Sequence, residues 1–121
     1  MIDRRLMVNK PKILGTTWET AVVTFLRQYS FAKKAERRAL SGGLDKGDII
    51  NAVHVFECKN TKSIDLAAGL REAEIERVNA STEYAFLIVK RRQKSTGDAY
   101  AVMPFRQLCE ILERLHDYHG E

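Results

Sequence analysis

The chain has 121 residues, enough for one domain and too few for two of ordinary size. Hydrophobic residues make up 45%, which excludes wholesale disorder, and Lys and Arg outnumber Asp and Glu by 20 to 16 for a net charge of +4. That excess favours a polyanionic partner without requiring one.

In chain order, residues 1–15 read as an irregular basic arm carrying Arg4, Arg5, Lys10 and Lys12 and ending at Gly15. Thr16-Thr17-Trp18-Glu19 reads as a helix start, with Thr16 as N-cap and Glu19 closing a capping box. Trp18, Val22, Phe25, Leu26 and Tyr29 follow as one apolar helical stripe. Arg37 to Leu40 predicts a short strand broken by Ser41-Gly42-Gly43. Asp48 to Val53 and His54 to Lys59 predict an antiparallel hairpin. Ser63 can cap a helix through Leu66, Ala67, Leu70, Ala73 and Val78. Tyr84 to Lys90 is the most apolar strand and is expected at the centre of the sheet. A turn at Lys94 to Gly97 and a strand at Ala99 to Met103 come next. Pro104 then opens a last helix with Phe105, Leu108, Leu112 and Leu115 along one side. The expected fold is α/β, a mixed central sheet flanked by helices, with residues 16–121 as one domain.

Chemistry concentrates on the hairpin. Alternation along a strand turns Phe56 and Cys58 one way, into a core, and Glu57 and Lys59 the other. If the hairpin sets Asp48 near Glu57, two carboxylates and an ammonium converge. Carboxylates that close repel one another, and Mg²⁺, or Mn²⁺, relieves the repulsion through oxygen ligands. Lys59 would then stabilise charge on a phosphate or position the attacking water. The plain alternative is a solvated hairpin face bearing cross-strand ion pairs.

Asp48 followed by Glu57-x-Lys59 on the next strand resembles the PD-(D/E)xK nuclease superfamily. Gly15 and Glu19 on the preceding helix narrow the likeness to archaeal Holliday junction resolvases. Phage-type resolvases are similar in their ordered Gly-Asp-Ile, Glu-Cys-Lys and Val-Lys-Arg-Arg segments. The likeness spans approximately residues 15–105, and Gly47 departs from it by standing where Pro is frequent. The resemblance implies a restriction-endonuclease-like fold, metal held by Asp48, Glu57 and the Cys58 carbonyl, catalysis by Lys59, and Glu19 completing the site. It also implies paired, symmetric nicks in four-way junctions by a homodimer. A structure-tolerant nickase or repair endonuclease, and a non-catalytic DNA-binding module, are the alternatives.

Basic residues suited to phosphate are Lys33, Lys34, Arg37 and Arg38, and Lys90, Arg91, Arg92 and Lys94, with Ser41, Gly42 and Gly43 as a loop able to move against a strand. Cys58 and Cys109 have no CxxC or CxxH companion and are expected to fill core space in a reducing cytoplasm. His54, His116 and His119 read as surface residues. No apolar run approaches membrane-spanning length, so a cytoplasmic protein without membrane contact is expected.

Overall fold

The computed structural model describes residues 10–37, 49–51 and 53–120. Helix α1 (Lys10–Leu26) leads through a 3-10 turn (Ser30–Ala32) to strands β1 (Glu36–Arg37), β2 (Ile49–Ile50) and β3 (His54–Lys59). Helix α2 (Leu66–Ala80), strand β4 (Tyr84–Val89), a 3-10 turn (Thr96–Asp98), strand β5 (Tyr100–Val102) and helix α3 (Phe105–Tyr118) follow among the described residues. The five strands form one mixed sheet in sequential order. Only β3 and β4 are parallel, and α2 is the crossover that a parallel neighbour requires. Among the described residues no helix is long and apolar enough to cross a membrane.

The predicted order of elements matches, with β4 in the interior of the sheet. Several details differ. Helix α1 spans Lys10–Leu26, so residues 10–15 are helical and not an irregular arm, while residues 1–9 lie outside the described residues. Gly15 costs a helix interior only about 1 kcal/mol relative to Ala, and the helix runs through it. Thr16 therefore lies inside the helix and not at an N-cap position. At α2 the N-cap is Asp65 and not Ser63, its carboxylate accepting the Ala68 N–H at 3.0 Å. The helix closes on Ser81 in the left-handed region (φ 55°), whose N–H reaches the Arg77 and Val78 carbonyls.

Helices α1 and α2 take opposite faces of the sheet. On one face, Trp18, Val22, Val23 and Leu26 of α1 pack with Ile49, Phe56 and Cys58. The Trp18 indole N–H also donates to the Ile88 carbonyl at 3.3 Å. Tyr29, the predicted end of the α1 stripe, lies beyond the helix and is half exposed. On the other face, Ala73 packs with Val55 and Ala85. Leu66 and Val78, expected on the inner stripe of α2, are exposed, whereas Gly69, Ala73 and Glu76 are buried. The reason is close approach: a Cβ at Gly69 would stand 2.9 Å from a methyl carbon of Leu87, so the small side of the helix docks.

Two further expectations change. Cys58 is buried, but Cys109 sits exposed on α3 instead of filling a core. His54 is half-buried, with the rings of Phe31, Phe56, Tyr84 and Phe86 around it at centroid distances of 5.6–6.2 Å.

Candidate active site

Strand alternation decides what β3 offers to each face. Phe56 and Cys58 enter the α1 core, so Val55, Glu57 and Lys59 turn toward α2. Glu57 is only 4% exposed, an uncommon burial for a carboxylate. Its Oε1 lies 3.6 Å from the Lys59 ammonium. Lys59 Nζ in turn meets Oε2 of Glu72 at 2.6 Å. Glu72 stands on α2 three residues after Gly69, so the close packing of that helix on Leu87 brings this carboxylate over the end of β3.

These groups sit at one particular end of the sheet. Lys59 and Lys90 mark the carboxyl ends of the parallel pair, and the Lys90 N–H donates to the Lys59 carbonyl at 3.0 Å. Beside Lys59 opens a cleft of about 190 Å³, lined by Thr61, Ser63, Asp65, Ala68, Gly69 and Glu72 among others. A crevice outside the carboxyl ends of parallel strands is where open α/β sheets bind ligands. Glu57, Glu72 and Asp65 set three carboxyl groups against the one Lys59 ammonium around this cleft, in a basic chain. A phosphate would be repelled from it unless a cation intervened.

The remaining site residues divide as follows. Asp48, Arg38, Ser41, Gly42 and Gly43 lie outside the described residues. The residue after Asp48, Ile49, is registered with Phe56, the residue before Glu57. The Cys58 side chain is committed to the apolar core, which is compatible with a ligand role for its carbonyl alone. Glu19 accepts hydrogen bonds from Arg37 Nε and Nη2 at 3.2 and 3.0 Å. It stands on α1 beside Trp18, whose ring lies under Lys90, and the described side chains do not bring it to Glu57. With Thr16 inside the helix, the capping-box role of Glu19 falls away.

The basic residues separate in space. Lys33 and Lys34 are exposed beside Phe31, whose ring meets His54 where β3 begins, far from Lys59. Arg37, registered with Ile49 and so level with Phe56, lies midway along β3. Lys90 lies over the Trp18 ring at 5.7 Å, and Arg91 over Tyr100 at 4.8 Å while donating to the Asp98 carbonyl. Arg92 and Lys94 are exposed on the following turn.

Sequence reasoning missed Glu72. A readable sign existed: Gly69, Glu72, Ala73 and Glu76 recur at helical spacing on the helix right after Glu57-x-Lys59, and two of the four are acidic. Among the described residues no three His, Cys, Asp or Glu side chains are grouped so as to hold a metal ion. No protein-family model, curated protein or solved structure matches the chain.

Proposed function

We propose that the chain is a metal-dependent DNA endonuclease of restriction-endonuclease-like fold, acting at the carboxyl end of β3. The observation that carries this reading is the buried Glu57 carboxylate, 3.6 Å from the Lys59 ammonium, beside a cleft at the end of the parallel strands. The donor chemistry around Lys59 fits a hard divalent cation, because it consists of carboxylate oxygens and lacks thiolate or imidazole. Two of the ligands, Glu57 and the Cys58 carbonyl, would come from described residues, and Asp48 would complete the set. When bound, Mg²⁺ or Mn²⁺ neutralises phosphate charge and makes water a better nucleophile.

The chain's own residues do the rest. Glu72 and Glu57 hold the Lys59 ammonium from two sides, at 2.6 and 3.6 Å, so its position is set before substrate arrives. An ammonium fixed there stabilises the negative charge that grows on the phosphoryl oxygens during attack. Arg37, Arg92 and Lys94 bear on phosphates along the approach, without reading bases. Glu19 orients Arg37 on that surface. The preferred substrate is a four-way junction, cut by two copies at symmetric positions.

Incubation with a labelled four-way junction and a matched duplex, with and without Mg²⁺, tests this. The reading expects Mg²⁺-dependent paired nicks near the branch point. Equal nicking of both substrates would move the assignment to a structure-tolerant nickase. Tight junction binding with no cleavage in Mg²⁺ or Mn²⁺ would make the protein a binding module.

A further inference from the structure

Helix α3 is held to the rest of the molecule by hydrogen bonds of polar side chains, with Ile111 half-buried on the same side. Gln107 Nε2 donates to the Ala85 carbonyl at 2.8 Å, on the stretch of β4 that β5 does not cover. Arg114, two turns on, donates to Glu83 at 2.9 Å and lies over the Tyr84 ring at 5.3 Å. Turned away from that side, Phe105, Leu108, Leu112 and Leu115 are 78%, 37%, 52% and 51% exposed. No residue of α3 is buried. An amphipathic helix normally lays its apolar stripe on its own core. This one does the reverse, and the stripe is large for a surface with no occupant.

The spacing of the stripe identifies the occupant. Phe105, Leu108, Leu112 and Leu115 follow one another at three, four and three residues, the 3.5-residue repeat of paired helices. That pattern reads the same from either end. An antiparallel copy of α3 therefore sets Phe105 opposite Leu115 and Leu108 opposite Leu112, and both relations obey one two-fold axis. Such a seam is complementary to itself, as an isologous contact must be. It carries no charge at its four positions, so two copies meet without like-charge repulsion, and their helix dipoles oppose one another favourably.

We propose that α3 is a self-association helix, its Phe105–Leu108–Leu112–Leu115 stripe pairing antiparallel with the same stripe of a second copy. The proposal stands on the exposed stripe and does not depend on nuclease activity. Fourteen residues make a helix about 21 Å long, so the contact is at the small end of stable interfaces and the dimer forms with rising concentration.

Light scattering of the full chain across a wide concentration range tests it. The mass should rise from 13.8 kDa toward twice that value. Leu108→Glu and Leu112→Glu should each hold the chain monomeric throughout. Their far-UV circular dichroism should be unchanged, because both leucines are already solvent-exposed. Cys109 is exposed and lies one residue from the centre of the stripe, whereas Cys58 is buried. Antiparallel pairing brings the two Cys109 thiols together, so a short bis-maleimide should link wild type and not Leu112→Glu or Cys109→Ser. A wild-type monomer at every concentration, or a dimer that both glutamate variants leave intact, overturns the proposal. A dimer that the bis-maleimide does not link overturns the antiparallel arrangement. Cleavage is not read, so neither failure touches the metal-dependent chemistry assigned to Glu57 and Lys59, whereas a chain that stays monomeric would also remove the paired cuts by two copies.

Discussion

The two faces of the sheet are built on different principles. The α1 face is a dry apolar layer in which Trp18, Val22, Leu26, Ile49 and Phe56 interlock. The α2 face is made of Val55, Ala73, Ala85 and Leu87, with Ile50 and Ala80 at its edge, and it also buries the side chains of Glu57 and Glu76. Burying a carboxylate costs free energy that its partners must offset, so this face combines packing with charged groups where the α1 face does not. The contrast teaches that this fold keeps its stability and its candidate chemistry on separate sides of one strand, β3, which serves both by alternation.

Substitutions sharpen that contrast. Phe56→Ala should have the largest effect on folding, a loss of about 3–5 kcal/mol in denaturant unfolding, because a nearly fully buried ring leaves a cavity among rigid neighbours. A loss well below this would mean that the α1 layer is not the stabilising one. On the other face, Gly69→Ala should cost less. Overpacking against Leu87, 2.9 Å away, costs about 1–3 kcal/mol, offset by up to about 1 kcal/mol of improved helix propensity. Unchanged or raised stability would show that α2 does not press on the sheet as closely as described.

Arg92→Ala should leave stability alone and lower the slope of log affinity against log salt by about one unit, the signature of one lost phosphate contact. The same change at Lys33, at the other end of the sheet, should lower it less. Equal effects at both would contradict a single DNA-facing end.

The smallest effect is on pH dependence. Burial holds the His54 imidazole below its ordinary value, with Glu83 acting weakly in the other direction. Asn51 Oδ1 already accepts two backbone N–H groups and lies 2.8 Å from Nδ1, so the proton of the neutral ring belongs on Nδ1. The folded state resists a second proton that the unfolded chain accepts. Stability is therefore full above the unfolded value of about 6.5 and declines as pH falls from there to the lower folded value. The thermal midpoint of His54→Gln should lose this slope. An identical slope in the variant would assign it to other groups.

Much of this arrangement was legible in the residues. Alternation at Val55-Phe56-Glu57-Cys58-Lys59 placed each side chain on its face, because a period of two leaves no freedom once Phe56 and Cys58 go inward. The helix starts were not legible. Thr16 and Ser63 both carry capping chemistry, but caps are decided by where the helix docks, and Asp65 was the better-placed competitor at α2. The inner side of α2 was misread for a related reason: close approach to Leu87 selects Gly and Ala over the larger Leu66 and Val78. Glu72 escaped because its role arises only when α2 is laid across β3, a contact between distant positions in the chain. The division of the basic residues, with Lys33 and Lys34 near the start of β3 and Lys90 beside its end, likewise depends on how the strands pair, which charge runs do not encode.

The central claim is that the α2 face of β3 carries phosphodiester chemistry. Its most direct test is the cleavage rate of wild type and Glu57→Gln on labelled DNA in Mg²⁺, with DNA affinity and circular dichroism measured on the same samples. The amide keeps the size of the buried side chain and removes its charge, so the variant should fold and bind while cleaving at least about 10²-fold more slowly. Wild-type cleavage by a folded Glu57→Gln protein would contradict the account.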